Sequence, residues 1–182
     1  MMDKNILRWI NELKRYNPTL HLVGSGMLDT IEQDVSAMLP LFKHINEPVI
    51  ADLGSGSGLP AIPYKVLHPQ SHVVLIERSK KKCTFLRHII DVLDMEGVEI
   101  MEADPLITEV GRFDAVLSRS FSPLSKLEKA VLRILAKSGR FYYLFTGSSA
   151  PELGEKLCLQ ELITRDFLGY TLNLGVFSAR PG

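Results

Sequence analysis

The residues best suited to chemistry form a glycine-rich loop, Asp52-Leu53-Gly54-Ser55-Gly56-Ser57-Gly58-Leu59-Pro60. Its three glycines stand at alternate positions, so the backbone can approach a ligand without an intervening Cβ atom. The loop lies between a predicted strand and a predicted helix, and the helix N-terminus offers unpaired N–H groups. A plain flexible turn needs fewer glycines than this. We therefore predict a ligand-binding loop.

The spacing of the glycines narrows the choice of ligand. A dinucleotide-binding loop reads G-x-G-x-x-G, whereas this chain reads G-x-G-x-G and has no P-loop lysine after the glycines. Asp52 would repel a pyrophosphate, but it would attract the ammonium and sulfonium charges of S-adenosylmethionine. The pattern therefore favours S-adenosylmethionine. The loop residues predicted to hold it are Asp52, Gly54, Ser55, Gly56, Gly58 and Leu59.

Two acidic residues further along are predicted to complete a nucleoside site. Glu77 ends the second predicted strand, about 20 residues after the loop, where its carboxylate can accept hydrogen bonds from both ribose hydroxyls. NAD sites use the same contact, and a helix-capping role is the alternative. Asp104 is placed to accept from an adenine amino group, with the N–H groups of Ala103 and Asp104 facing the ring. Because Asp104 precedes Pro105, it also suits a turn.

These residues need a scaffold, and the apolar pattern predicts one of alternating strands and helices. Strands are predicted at 49–53, 73–77, 98–101, 113–117 and 140–145, and helices at 59–67, 80–93 and 124–135. Two further strands, 159–165 and 170–178, predict an antiparallel hairpin. Helices at 3–15, ended by Asn17-Pro18, and at 29–42 precede them, with a loop at 23–26.

The order of these elements predicts an α/β fold of the Rossmann-like kind. Strands alternating with helices imply right-handed crossovers and a mainly parallel sheet covered on both faces. We expect seven strands, closed by the C-terminal antiparallel hairpin and preceded by N-terminal helices. The predicted division is an N-terminal helical extension, 1–47, and an α/β domain, 48–182, within one compact unit.

Charge is balanced over the chain but uneven along it. Lys and Arg number 21, as do Asp and Glu, so the formal net charge is zero and no overall field attracts nucleic acid. Two basic runs nevertheless stand out: Arg78, Lys80, Lys81, Lys82 and Arg87, and, along the later helix, Lys126, Lys129, Arg133, Lys137 and Arg140. Each run could bind phosphate, because salt limits the reach of distant acids to about 10 Å. Solvated faces are the alternative.

The cysteines and the apolar runs indicate a cellular setting. Cys83 and Cys158 are isolated from each other and from any Cys/His cluster, so neither a disulfide framework nor a metal site is predicted. We expect a reducing, cytoplasmic environment. No apolar run reaches the roughly 20 residues that span a bilayer, and no export or membrane segment is visible. No protein partner is indicated.

Several motifs together resemble a known family, the glucose-inhibited division protein B family. They are the block Asp52-Leu53-Gly54-Ser55-Gly56-Ser57-Gly58-Leu59-Pro60-Ala61-Ile62-Pro63, Glu77, Lys81-Lys82, Phe85-Leu86 and Ser118-Arg119-Ser120-Phe121-Ser122-Pro123-Leu124. The resemblance is best from about Val49 to Gly147. It implies a class I S-adenosylmethionine-dependent methyltransferase that modifies N7 of a guanine in small-subunit (16S) ribosomal RNA, with residues 48–182 as the methyltransferase domain.

The resemblance also implies roles for individual residues. It implies that Gly54, Gly56, Glu77, Ala103 and Asp104 hold the cofactor, a set to which we add Arg78 and Arg119. Arg119 would end the fourth strand beside the transferable methyl, and we assign it to substrate orientation. A structural ion pair with an acid near the sheet edge is the alternative. Lys80, Lys81, Lys82 and Phe121 are predicted to contact the RNA, Phe121 by stacking unless it is a lid or core residue.

The chain departs from the family pattern on the expected substrate side. Tyr16-Asn17 matches, but His21-Leu22-Val23 replaces the asparagine-leucine-threonine that follows. The family's histidine and aspartate-serine fall at Gln33, Ser36 and Ala37, and its lysine-glycine at Thr146-Gly147. Two other functions therefore stay open: a class I methyltransferase acting on a small molecule or a protein, and a non-catalytic regulatory protein that binds S-adenosylmethionine.

Overall fold

A computed structural model describes residues 2–119, 124–147, 151–167 and 169–180. The helices are α1 (Lys4–Leu20), α2 (Ser25–Met38), α3 (Ala61–Leu67), α4 (Lys80–Leu93) and α5 (Leu124–Ile134), and a 3₁₀ helix covers Leu39–His44. The strands are β1 (Val49–Leu53), β2 (His72–Glu77), β3 (Val98–Glu102), β4 (Phe113–Arg119), β5 (Leu135–Thr146), β6 (Leu157–Phe167) and β7 (Tyr170–Ala179). No helix within the described ranges is both long and apolar enough to cross a membrane.

The described strands form one seven-stranded sheet in the order β3-β2-β1-β4-β5-β7-β6. Strands β1 to β5 pair in parallel, whereas β7 runs antiparallel to both β5 and β6. This arrangement confirms the predicted fold class. The chain builds one half of the sheet from β1 to β3 and then returns past β1 to β4, which begins the other half. Ligands bind at such a switch point, here between β1 and β4.

Each face of the sheet packs against its own hydrophobic cluster. Side chains alternate along β1, so Ile50 faces a cluster that contains α1, α2 and α4, while Ala51 and Leu53 face a cluster that contains α5. The N-terminal helices therefore share a core with the sheet. Buried Trp9 and Ile31 belong to the same cluster as Leu75 of β2.

The N-terminal helices differ from their predicted bounds. The predicted stop at Asn17-Pro18 was wrong, because α1 continues to Leu20 with Pro18 inside its last turns, where the missing N–H costs one hydrogen bond. His21 ends α1 in the left-handed conformation. The predicted loop at 23–26 was wrong for its second half, since α2 begins at Ser25.

Strand β5 begins earlier than predicted. It starts at Leu135, directly after α5, and includes Ser138 and Gly139, which precede the strand predicted at 140–145. The register with β4 shifts here, and a Cβ atom on Gly139 would lie 3.0 Å from the carbonyl oxygen of Phe113. Only glycine fits this bulge without displacing its neighbours. Lys137 and Arg140 consequently lie on β5 and not on the helix.

Candidate functional site

The glycine loop folds over the carboxyl end of β1. The amides of Gly54 and Ser55 both donate to the carbonyl of Ile76 on β2, at 2.9 and 3.2 Å. Gly54, Gly56 and Gly58 have φ angles of 79°, 55° and 86°, in the left-handed region that favours glycine. The alternate spacing read from the sequence thus reflects three separate backbone requirements.

A cavity of about 250 Å³ opens beside this loop. It is lined by the loop itself, by the segment that joins α1 to α2, and by two cationic side chains. The lining residues are Leu22, Val23, Gly24, Met27, Gly54, Ser55, Gly56, Ser57, Leu59, Lys82 and Arg119. The structure therefore brings the predicted loop together with Lys82 and Arg119.

Gly56 and Gly58 meet different surroundings. A Cβ atom on Gly56 would have as its nearest neighbours the Gly54 carbonyl oxygen at 3.7 Å and the Lys82 Nζ at 4.0 Å. A Cβ atom on Gly58 would lie 2.5 Å from Cγ1 of Ile62. Gly56 therefore leaves open space at the cavity, whereas Gly58 permits close packing of the loop on α3.

Asp52 is a buried carboxylate below the loop. It is 1% exposed, and among the described residues neither carboxylate oxygen has a hydrogen-bond partner. Burial raises its pKa from 3.8 to about 7, and the negative charge of Glu77 adds to the effect. The nearby Ser55 hydroxyl donates to the backbone carbonyl of Asp52 at 3.0 Å and not to its carboxylate. An unsatisfied buried carboxylate is costly, and a cationic ligand group would compensate it. The buried carboxylate therefore fits a cofactor that carries an ammonium group near this loop.

Asp52→Asn is expected to stabilise the ligand-free protein at pH 8 and to have little effect near pH 4. Because the folded-state pKa of about 7 lies above the ordinary 3.8, the native state holds the extra proton, and stability falls as the pH rises from about 4 to about 7. The difference between the two pKa values corresponds to roughly 4 kcal/mol of free energy of unfolding that is lost above pH 7. Urea unfolding at both pH values measures it, with the exposed Asp114→Asn as control. An equal effect at both pH values would contradict the raised pKa.

Glu77 links the loop to the start of α4. It is buried, its Oε2 accepts from the Gly56 amide at 2.9 Å, and its Oε1 accepts from the Ser79 amide at 2.7 Å. The capping alternative considered from the sequence is met only in part, because Glu77 bonds to the amide of Ser79, the residue before α4, and not to an amide within the helix. Each carboxylate oxygen has a second lone pair, so the group can still accept from ribose hydroxyls.

Ala103 and Asp104 follow β3 and are engaged in internal contacts. The amide of Ala103 donates to the carbonyl of Glu77 at 3.1 Å, so the expectation that this N–H faces an adenine ring was wrong: it extends the β2–β3 ladder. Asp104 Oδ1 accepts from the amide of Leu106 at 3.0 Å, which is the turn contact considered above. Its Oδ2 lies 3.5 Å from the exposed Arg78 Nη1.

Arg119 ends β4 with its side chain at the cavity. Its Nη2 lies 3.3 Å from Oδ2 of Asp34 on α2, and its Nη1 lies 3.5 Å from the Met38 sulfur. The ion pair considered from the sequence is thus present, but its acid comes from an N-terminal helix and not from the sheet edge. Phe121, predicted nearby, lies outside the described residues.

The basic residues of α4 and those of α5 lie on opposite faces of the sheet. The run on α4 packs with the N-terminal helices, and Lys80 and Lys81 are exposed there. The other run belongs to α5 and β5. Several arginines of these runs have internal partners: Arg87 lies 3.4 Å from Glu102, and Arg140 lies 3.7 Å from Glu47.

Sequence reasoning missed the part that the N-terminal helices play at the cavity. The indole N–H of Trp9 donates to the carbonyl of Ser57 at 3.0 Å, and the side-chain oxygen of Asn17 accepts from the Val23 amide at 2.9 Å. Trp9 is the only tryptophan of the chain, yet on a helical apolar stripe it looks like an ordinary core residue. Of these two residues, only Asn17 could have indicated a role at the cavity from the sequence, because it matches the family pattern.

Comparisons with known proteins give a consistent result. The sequence model of one family, described as rRNA small subunit methyltransferase G (GidB), matches residues 2–162. The ribosomal RNA small subunit methyltransferase G of Polynucleobacter asymbioticus is 34% identical over 165 residues, which cover 84% of this chain and 73% of that protein. The protein of the same name from Helicobacter hepaticus is 28% identical over 160 residues, which cover 86% of each.

Solved structures resemble the fold at low sequence identity. The ribosomal protein L11 methylase from Lactobacillus delbrueckii subsp. bulgaricus has a TM-score of 0.61 at 19% identity, covering 87% of this chain and 81% of that one. A mutant of MtNAS in complex with S-adenosylmethionine has a TM-score of 0.66 at 13% identity, covering 97% and 72%. At these identities the likeness concerns the fold alone.

Proposed function

The chain belongs to the rRNA small subunit methyltransferase G family, and from this premise we propose that it methylates N7 of a guanine in small-subunit (16S) ribosomal RNA. S-adenosylmethionine is the methyl donor. The observation that carries the proposal is the cavity lined by the glycine loop. Asp52, which precedes this loop in the chain, is buried without a hydrogen-bond partner for its carboxylate among the described residues.

The chain's own residues would share the work of holding the cofactor. Asp52 would compensate the ammonium group, and the bare backbone of Gly54 and Gly56 would allow close approach. Glu77, at the end of β2, would accept from the ribose, and Asp104, which follows β3, would accept from the adenine amino group. The full proposed set is Asp52, Gly54, Ser55, Gly56, Gly58, Leu59, Glu77, Arg78, Ala103, Asp104 and Arg119. In this set Ala103 would contribute through its position after β3 and not through its N–H, which donates to Glu77, and Arg119 would contribute only a minor contact.

Methyl transfer to guanine N7 mainly requires that the guanine be oriented correctly toward the methyl donor. S-adenosylmethionine supplies an electrophilic methyl group, and guanine N7 has a lone pair that is unprotonated at neutral pH, so no general base is required. Arg119 would orient the guanine through its O6 edge or a flanking phosphate, where a planar guanidinium makes strong charge-assisted hydrogen bonds. Such positioning supplies much of the rate in reactions of this kind.

Ribosomal RNA, free or within the small subunit, would bind at the mouth of the cavity. Lys80, Lys81 and Lys82 are the proposed phosphate contacts, and Phe121 stays a prediction. A ribosomal substrate implies a cytoplasmic location. The division into a helical extension, 1–47, and a methyltransferase domain, 48–182, is also proposed, although the two parts share one hydrophobic cluster.

Replacing both Lys80 and Lys81 by glutamine is expected to weaken RNA binding. It should also reduce the dependence of the binding constant on salt concentration. Each phosphate contact with single-stranded RNA contributes about 0.7 to the slope of log K against log salt, so the slope should fall by about 1.4. Filter binding of the RNA at several salt concentrations measures this. The matched control replaces Lys126 and Lys129 on α5, on the opposite face. An effect confined to the α5 pair would contradict the assignment.

Transfer of labelled methyl groups tests the function directly. The wild-type protein is incubated with labelled S-adenosylmethionine and with small subunits, naked 16S RNA, a protein fraction or a metabolite fraction, and labelled RNA is digested to nucleosides. We expect the label in 7-methylguanosine. Label in protein or metabolites alone would favour the alternative methyltransferase, and tight cofactor binding with no label in any fraction would favour a regulatory protein.

A further inference from the structure

An ion pair connects the N-terminal helices to the end of β4. Asp34 of α2 and Arg119 lie 3.3 Å apart, and their side chains are only 11% and 8% exposed. Charged side chains this far from water need partners, and the loss of one partner leaves the other buried and uncompensated. The pair is therefore a specific contact and differs from an exposed surface pair, whose contribution is small.

Helix α2 holds the guanidinium from two adjacent turns. Met38, four residues after Asp34, lies on the same face of the helix and contacts Nη1 at 3.5 Å through its sulfur. The other acidic residues of α2, Asp29 and Glu32, are exposed. Asp34 is thus the buried acid of this helix, and its carboxylate reaches the guanidinium at the cavity.

We propose that Asp34 is a positioning residue for methyl transfer, which fixes the orientation of the Arg119 guanidinium at the cavity. The inference rests on the function proposed above. A free arginine side chain samples many rotamers, and holding it in advance removes that entropy cost from substrate binding. Within the described ranges these contacts use two of the five N–H donors of the guanidinium, and because Arg119 lines the cavity, the other donors could bind a substrate there.

The test replaces Asp34 with asparagine, which keeps the shape and removes the charge. Turnover on small subunits is expected to fall about 10-fold or more, with the affinity for S-adenosylmethionine within about 2-fold of the wild type. Glu32→Gln is the matched control on the same helix, because Glu32 is exposed and pairs with Lys14 at 2.9 Å. Wild-type turnover in folded Asp34→Asn would overturn the proposal.

Chemical rescue separates positioning from a purely structural role. Asp34→Ala leaves a gap beside Arg119 that formate can occupy, and added formate is expected to restore part of the lost turnover without changing the cofactor affinity. If Asp34→Ala does not fold, the isosteric Asp34→Asn still decides. A folded Asp34→Ala whose turnover does not respond to formate would count against positioning by the carboxylate.

A thermal-stability cycle keeps this inference distinct from the proposed function. The melting temperatures of Asp34→Asn, Arg119→Gln and the double variant are compared with the wild type, and coupled residues should give losses that do not add. Additive losses would overturn the pairing, even in an active enzyme. If the wild type methylated no RNA, the proposed function would fall and the role in methyl transfer with it, while non-additive losses would still establish that Asp34 holds Arg119.

Discussion

Replacing Gly56 with aspartate is expected to lower the affinity for S-adenosylmethionine about 100-fold or more while the protein stays folded. Gly56 has a φ of 55°, which aspartate tolerates better than most residues. Among the described residues, no atom beyond the chain neighbours lies closer than 3.7 Å to the added Cβ, so the new side chain would enter the cavity and block the approach of a ligand to the loop. Calorimetry measures the affinity, and thermal unfolding checks the fold.

Two further glycines serve as controls. Gly58→Ala is expected to destabilise the protein by about 3 kcal/mol, because its Cβ would lie 2.5 Å from Cγ1 of Ile62 at a φ of 86°. Gly111→Asp, also at positive φ but in open space away from the cavity, should leave the cofactor affinity unchanged. Unchanged affinity in folded Gly56→Asp would refute the assignment of the loop to the cofactor.

The sequence predicted the elements whose patterns are local. Strand β1 and helix α4 have the predicted bounds, since a short apolar run between turn residues and a long amphipathic stretch are decided by neighbouring residues. The glycine loop was recognisable for the same reason. The three glycines meet backbone requirements within a few residues of one another, and their spacing is visible without knowledge of the fold.

Contacts between distant segments were not predictable in this way. Trp9 and Ser57 are 48 positions apart, and Asp34 and Arg119 are 85 apart. Nothing in the spacing near either residue indicates its partner, because the packing of α1 and α2 over the end of the sheet brings them together. The alternative interpretation of Arg119 as an ion-pair residue is confirmed, but the acid was expected near the sheet edge and lies on α2.

Exact helix ends also depended on more than local signals. The Asn17-Pro18 pair resembles a stop, because proline removes one N–H and its ring crowds the carbonyl four residues earlier. Helix α1 nevertheless continues for two residues beyond Pro18. The buried side chain of Asn17 then serves the loop that follows, by accepting from the Val23 amide at 2.9 Å. Asn17, which suggested an end to the helix, therefore helps to position Val23, and Val23 lines the cavity.

Arg119→Ala is expected to lower turnover on small subunits about 100-fold or more, with less than about a 5-fold change in cofactor affinity. Arg119 lines the cavity with its side chain 8% exposed, so its guanidinium would act on the substrate from a partly dry environment, in which charge-assisted hydrogen bonds are strong. The turnover is measured with labelled S-adenosylmethionine at saturating RNA, and the cofactor affinity by calorimetry.

The alanine variant also removes this cation from the buried Asp34, and we expect this loss to destabilise the protein by about 3–5 kcal/mol. Arg119→Lys separates the two effects, because the ammonium still compensates Asp34 but lacks the planar fork. We expect this variant to fold like the wild type and to lose about 10-fold in turnover. Arg180→Ala, at an exposed arginine away from the cavity, should be fully active. Wild-type turnover in both folded Arg119 variants would refute substrate orientation by Arg119 and leave it a structural partner of Asp34.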